Sequence, residues 1–129
     1  MKERLNQITE IIIGAAIEVH KELGPGLLES GYEACLMYEL NQRGVTVERQ
    51  KELPVVYRDV QIDCGYRLDL LVDDKVIVEL KAVEKLERIH EAQWMSYLKL
   101  SGKHVGLPIN LNVLQLVKGL KRMVLSFPE

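Results

Sequence analysis

Residues 66–81 read YRLDLLVDDKVIVELK, and the fold turns on how this stretch is interpreted. Tyr66, Leu68, Leu70 and Val72 alternate with Arg67, Asp69 and Leu71, and Val76, Val78 and Leu80 alternate with Ile77, Glu79 and Lys81. Period-two alternation rich in branched residues predicts two strands joined by a tight turn. Each strand carries one acid, and Lys81 follows Glu79 by two positions, hence on the same face. The turn decides whether the acids meet. A two-residue loop at Asp73-Asp74 pairs Asp69 with Val78 and points the acids to opposite faces. A three-residue loop pairs Asp69 with Glu79, bringing both acids and Lys81 to one face with opposed side chains ~5 Å apart. The three-residue register is the expectation. Two adjacent carboxylates repel unless something positive lies between them. A divalent cation with oxygen ligands fits, and Lys81 adds a further positive charge beside it. The competing reading is a cross-strand ion pair on a solvated sheet face, which the spacing alone does not exclude.

Composition narrows the class. A chain of 129 residues suggests one domain over 1–129, and a domain of this size buries about two-thirds of its unfolded surface. The apolar share of 47% and charged share of 28% are those of an ordinary globular protein. A net charge of −2 gives no global basic footprint, which leaves only a local patch for nucleic acid. Cys35 and Cys64 are far apart, without metal-type spacing or a disulfide framework, which suits a reducing cytoplasm. The first residues, MKERLNQITE, do not resemble a signal peptide, and no apolar run approaches the ~20 residues of a membrane span.

Around the hairpin, residues 4–23 form an amphipathic helix through Leu5, Ile8, Ile12, Ala15, Val19 and Leu23, stopped by Gly24-Pro25-Gly26. His20 near its end is read as a dipole partner rather than a ligand. A second helix is expected over 27–43, with Leu28, Tyr32, Cys35, Leu36 and Leu40 as its apolar stripe and Gly44 as its stop. Glu29 in its first turn can be simple dipole compensation. Residues 45–57 read as extended, with Leu53, Val55 and Tyr57 on one side and Pro54 marking an edge or bulge. Arg58-Asp59 begins a turn, and residues 62–65 either join the next strand or lead into it irregularly. A third helix is expected over 88–100, where His90, Gln93 and Tyr97 share a stripe beside Trp94 and Leu98. Residues 104–111 read as a strand. Residues 113–127 fit either a short helix or a loop followed by an edge strand near 120–125. The order α, α, β, β, β, α, β and a tail predicts an α/β (α+β) mixed sheet, with the third helix crossing between parallel neighbours.

This arrangement resembles the PD-(D/E)XK nuclease superfamily: a restriction-endonuclease-like αβββαβ core, here with an extra N-terminal helix. Asp69 and Glu79-Leu80-Lys81 match its acidic motif, although Leu68 stands where Pro is common. Gln93 and Tyr97 are similar to the Gln-x-x-x-Tyr motif of the exonuclease-like branch. Gly26, Glu29 and Tyr32 in GLLESGY look like the signature of the GxxExxY protein family, as do LGPGLLES, VERQ, VIVELKAVE, HEAQ and YLK. The likeness runs from about residue 5 to 125.

The resemblance implies a metal-dependent nuclease acting on nucleic acid, DNA by expectation, with Mg²⁺ or Mn²⁺ as cofactor. Asp69, Glu79 and the Leu80 carbonyl would hold the ion, with Glu29 as an outer ligand or part of a second site. Lys81 would orient or deprotonate the attacking water, or neutralise the phosphate. Gln93 would hydrogen-bond the water, Lys81 or a phosphate, and Arg67, Tyr97 and Tyr32 would contact substrate. His90 ranks behind these. The alternative is a catalytically silent member that binds nucleic acid or serves as an assembly subunit. A homodimer or a partner protein would enlarge the small binding surface in either case.

Overall fold

The structure, a computed structural model, describes residues 1–125. Helix α1, Lys2–Leu23, buries Leu5, Ile8, Ile12, Ala15, Ala16 and Val19 along one stripe, as the 3.6-residue period demands. Gly24 ends it at φ 68°, a backbone state that a Cβ would disfavour. His20 lies in the last turn, where it is buried and its Nε2 meets the Val113 carbonyl at 2.8 Å, tying α1 to the tail. Helix α2, Glu29–Gln42, starts two residues later than the pattern suggested. Its buried stripe is narrow, running through Tyr32, Leu36 and Leu40. Leu28 and Cys35, expected on that stripe, are exposed; Leu28 precedes the helix and is 80% accessible.

The extended segment after α2 divides. Strand β1, Val47–Glu52, enters the main sheet; Leu53 turns inward and is buried, and Pro54 carries the chain away from the sheet. Strands β2, Val55–Tyr57, and β3, Val60–Ile62, then form a separate two-stranded ribbon around Arg58-Asp59. The single long strand expected over 45–57 is corrected accordingly. Proline supplies no ladder N–H, so the strand ends where a partner would need one. Residues 63–66 form the irregular lead-in to β4, Arg67–Val72, which is followed by β5, Val76–Lys81.

Helix α3, Arg88–Ser101, carries the chain across to β6, Val105–Asn110, which pairs parallel with β5. The tail resolves in favour of a loop with an edge strand: a 3₁₀ turn at Leu116–Lys118, then β7, Met123–Val124, against β6. The part of that expectation reaching residue 127 lies outside the described residues. The five-stranded sheet has the order β1-β4-β5-β6-β7. It is the mixed α/β sheet anticipated from the order of elements, with helices on both faces.

Two cores result. Leu70, Val72, Val76, Val78, Leu80, Val105, Leu107 and Ile109 face α1 and α2. Leu71, Ile77, Leu68 and Leu53 face Trp94 and Leu98 of α3. Strands β5 and β6 are therefore covered on both sides, which explains their almost unbroken apolar runs. Gly106 lets α3 close in: a Cβ there would lie 3.4 Å from the Leu98 side chain.

The tail is held just as tightly. Gly119 accepts a hydrogen bond from the Asn110 amide at 2.8 Å, and a Cβ at Gly119 would fall 2.0 Å from the Asn110 carbonyl oxygen. Backbone cannot step aside as a flexible side chain can. Gly119→Ala should therefore destabilise the protein by about 2 kcal/mol, the cost of overpacking a tight site. Thermal or urea unfolding checks this, and an unchanged midpoint would contradict it.

Candidate active site

The hairpin turn sets the site. Asp73, Asp74 and Lys75 form a three-residue loop, with Asp73 and Asp74 at φ 53° and 55°. The Lys75 amide donates to the Val72 carbonyl at 3.0 Å, and Arg4 of α1 holds Asp73 at 2.9 Å. The ladder pairs Val72 with Val76 and Leu70 with Val78, so the next position would oppose Asp69 to Glu79. This is the expected register.

The acids then replace the ladder itself. The Leu80 amide donates to Asp69 Oδ2 at 2.8 Å, and the Asp69 amide donates to Glu79 Oε1 at 3.3 Å. Each carboxylate thus satisfies a main-chain N–H of the opposite strand. On the other side of β4, Arg49 pairs with Leu70 and Lys51 with Leu68, while Gln50, opposite Asp69, takes φ 52°. Strand β4 rotates here. Leu70 packs towards α1 and α2, whereas Leu68, two residues earlier, packs towards α3. The regular alternation expected through Tyr66, Leu68, Leu70 and Val72 is corrected at this point, because both neighbours of Asp69 in the ladder give way to side chains. Arg67 is exposed and pairs with Glu52 at 3.2 Å.

Burial governs the electrostatics. Glu79 is 7% accessible, and its carboxyl is pushed up to about 9, first by desolvation and then by the charge of Asp69. Asp69 is also raised, chiefly by burial, with the Leu80 amide pulling the other way. Lys81 favours the charged form of both acids. It shares the α3-facing side of β5 with Glu79 and Ile77. Strand alternation points the Leu80 carbonyl to the same side as its amide, into the gap beside Asp69.

Helix α3 supplies the polar stripe. Gln93 Nε2 donates to the Tyr97 hydroxyl at 3.1 Å. The Tyr97 phenol is raised by burial, then by the nearby charge of Glu79. The Tyr66 ring lies 6.2 Å from that of Tyr97. Trp94 is core, as its helical spacing suggested. His90 Nδ1 accepts from the Glu87 amide at 2.8 Å and so completes a capping box at the start of α3.

Helix α2 approaches from the other end of β5. Glu29 Oε2 accepts from the Ala82 amide at 3.0 Å, one residue beyond Lys81. A cavity of about 520 Å³ lined by Gly26, Leu28, Glu29, Ser30, Ala82 and Asn112 opens at this junction. The expectation that Tyr32 contacts substrate is corrected. Tyr32 is wholly buried, and its hydroxyl donates to the Gly24 carbonyl and accepts from the Leu27 amide at 3.2 Å. It braces the turn that delivers Glu29.

Three residues near the acids carried no assigned role in the sequence. Glu33 is 6% accessible, and Arg49 Nε donates to it at 2.7 Å. Gln50 Nε2 donates to both Glu33 oxygens, at 3.2 and 3.0 Å, and reaches Asp69 Oδ1 at 3.5 Å. Their signal was the VERQ stretch, whose last two residues are Arg49 and Gln50. Glu33 left no such trace, since one acid within a polar helix reads as solvated surface. Among the described residues no three His, Cys, Asp or Glu side chains converge closely enough to hold a metal ion.

With this geometry in place, the comparisons agree with the fold. Residues 6–123 match the model of the PD-(D/E)XK nuclease superfamily. The chain belongs to that superfamily, whose nucleases generally use divalent metal ions. Comparison with curated proteins and with solved structures returns no match. Among the described residues no helix is long and apolar enough to cross a membrane.

The raised Glu79 carboxyl has a consequence for stability. Between its usual value of 4.5 and about 9, the folded state keeps a proton that the unfolded chain releases. Stability without added metal is thus greatest below the lower value and falls as pH rises towards the upper one. Glu79→Gln should flatten this slope and raise the melting temperature at alkaline pH. Melting curves across the pH window check it; an equally steep fall in the variant would contradict the assignment.

Proposed function

We propose that the protein is a metal-dependent nuclease that hydrolyses phosphodiester bonds of nucleic acid, DNA being the expected substrate. The observation that carries this reading is the reciprocal hydrogen bonding of Asp69 and Glu79 across two strands, with Lys81 beside them, in a chain of this superfamily. The donor set suits a hard cation: two carboxylates that burial leaves poorly solvated, and the main-chain carbonyl of Leu80. Asp69, Glu79 and Leu80 would hold Mg²⁺ or Mn²⁺, with Glu29 at the periphery. Such an ion, when bound, polarises the phosphate and makes its water a better nucleophile.

The chain's own groups divide the remaining work. Lys81 places positive charge where the phosphate gains negative charge, and orients the water. Gln93 and Tyr97 hydrogen-bond the water or a phosphate oxygen from the α3 side. Arg67 can exchange its exposed partner Glu52 for the substrate backbone, since such surface pairs are weak. The GLLESGY stretch supports placing the chain, as one domain, in the GxxExxY branch. The two exposed free cysteines suit the cytoplasm.

A second reading, a silent nucleic-acid-binding or assembly subunit, is favoured by one observation: Glu29 is engaged with the Ala82 amide rather than with the two acids. Titration with Mn²⁺ separates the readings, because binding without cleavage supports the second.

The test is a cleavage assay with Mg²⁺ and Mn²⁺ on labelled single- and double-stranded DNA and RNA. Asp69→Asn and Glu79→Gln, which keep an oxygen acceptor for the Leu80 and Asp69 amides, should abolish cleavage and keep the fold. Full activity in either variant would refute the assignment. Lys81→Ala should lower turnover by about 10²- to 10³-fold while metal affinity changes little. Lost metal binding with retained turnover would make Lys81 a support of the metal site rather than a partner of the phosphate.

A further inference from the structure

Gln50 is an exposed residue whose side chain is nonetheless held against the protein. It lies between the paired residues Arg49 and Lys51, opposite Asp69, at φ 52°. Its Nε2 lies 3.2 and 3.0 Å from the two oxygens of Glu33 and 3.5 Å from Asp69 Oδ1. Fixing a long polar side chain in one rotamer costs free energy, and so does a backbone held at positive φ.

A partner for Glu33 explains half of this arrangement. Glu33 is 6% accessible, and Arg49 Nε already donates to its Oε1 at 2.7 Å. The Gln50 nitrogen carries two hydrogens, so one can serve Glu33 and the other Asp69. The anion also fixes which end of the amide is turned inward. A Gln50 carbonyl oxygen beside the Glu33 carboxylate would set acceptor against acceptor, so the nitrogen faces both acids. Without a buried anion behind it, an exposed glutamine could present either end.

Asp69 gains a second hold from this contact. Its Oδ2 accepts from the Leu80 amide at 2.8 Å. One hydrogen bond leaves a carboxylate free to turn about it; a donor to the other oxygen, reaching across from β1, fixes its plane. The Gln50 contact is long, and an ionised carboxylate has about four acceptor sites, so Oδ1 keeps capacity for a further partner.

We propose that Gln50, anchored by Glu33, is a positioning residue: it sets the plane of the Asp69 carboxylate and so prepares its oxygens for a divalent cation. Glu33 stands one turn beyond Glu29 on α2, so the helix that fastens β5 at Ala82 also orients Asp69 through β1. The part that concerns the cation rests on the nuclease reading above. Groups that orient a ligand from behind are worth about ten- to a hundredfold in metal affinity.

Two measurements on the intact protein test this. The first needs no metal: amide hydrogen exchange read by NMR. In Gln50→Ala the Leu80 amide should exchange about tenfold faster, because its acceptor is less well held, while Val78 on the same strand should not change. The second is a Mn²⁺ titration followed by electron paramagnetic resonance, with Asp69→Asn marking the binding that belongs to this site. Gln50→Ala should weaken that binding about ten- to a hundredfold. Glu33→Gln should give a smaller loss, and no further loss when added to Gln50→Ala, because it acts through Gln50. Should Gln50→Ala not fold, Gln50→Gly carries the same comparison, since glycine is at ease at positive φ. A Leu80 amide unaffected by the substitution, or an acceleration shared equally by Val78, would overturn the proposal. So would unchanged Mn²⁺ affinity in a variant whose Leu80 amide is freed, or a Glu33→Gln loss that persists undiminished without Gln50. Wild-type protein that takes up no Mn²⁺ would refute the nuclease reading, and with it the role in ion binding; the exchange rates would still decide whether Gln50 orients Asp69.

Discussion

The exchange between Asp69 and the main chain of β5 holds the centre of this molecule. Where β4 and β5 would continue their ladder, the Asp69 carboxylate takes the Leu80 amide and the Glu79 carboxylate takes the Asp69 amide. A buried N–H must find an acceptor, and here the acceptors are side chains. The strands can therefore separate without leaving orphaned amides. The same exchange draws two carboxylates into a place where water solvates them poorly, which is why both hold their protons more tightly than usual. Structural economy and electrostatic tension have one origin.

The surrounding elements keep that arrangement in place from three directions. The Asp73–Lys75 loop sets the register from one end of the hairpin, and Arg4 of α1 holds the loop. Helix α2 is fastened at the other end through Glu29 and Ala82, and in its second turn through Glu33, Gln50 and Arg49. Gln50 departs from ordinary strand geometry at the place where its side chain bridges Glu33 and Asp69. A residue held at positive φ within a strand is sustained by its surroundings, and such positions gather at working sites. Helix α3 closes the third side, brought close by Gly106 and presenting Gln93 and Tyr97.

Much of this was legible from residue order. The helices, the central hairpin and the β6 strand follow from apolar periods and glycine stops. The acid, acid and lysine on two strands were visible as an anomaly, because charged residues inside apolar runs need a reason. Other features left no local mark. Leu53-Pro54 looked like a bulge within one strand, yet the chain leaves the sheet there and builds a separate ribbon. Cys35 fits a helical stripe as well as Leu36 does, and only the neighbouring helix decides which is covered. Tyr32 stood in a motif and invited a role at the surface. Its hydroxyl is instead used on the Gly24 turn, eight residues away in sequence, where no pattern would place it.

The sequence by itself determined most of the kinds of element, their order and the presence of two acids and a lysine on adjoining strands, and it narrowed the hairpin to two registers. These depend on local periodicity and turn length, which act over a few residues. Tertiary structure alone decided that β4 rotates at Asp69, that Glu79 is shut away from solvent, that Glu33 comes beside Asp69 and that Glu29 fastens to Ala82. Each of these depends on contacts between segments tens of residues apart, or on a strand being covered on both faces. Burial and proximity are properties of the assembled layers, and a local pattern of residue types does not encode them.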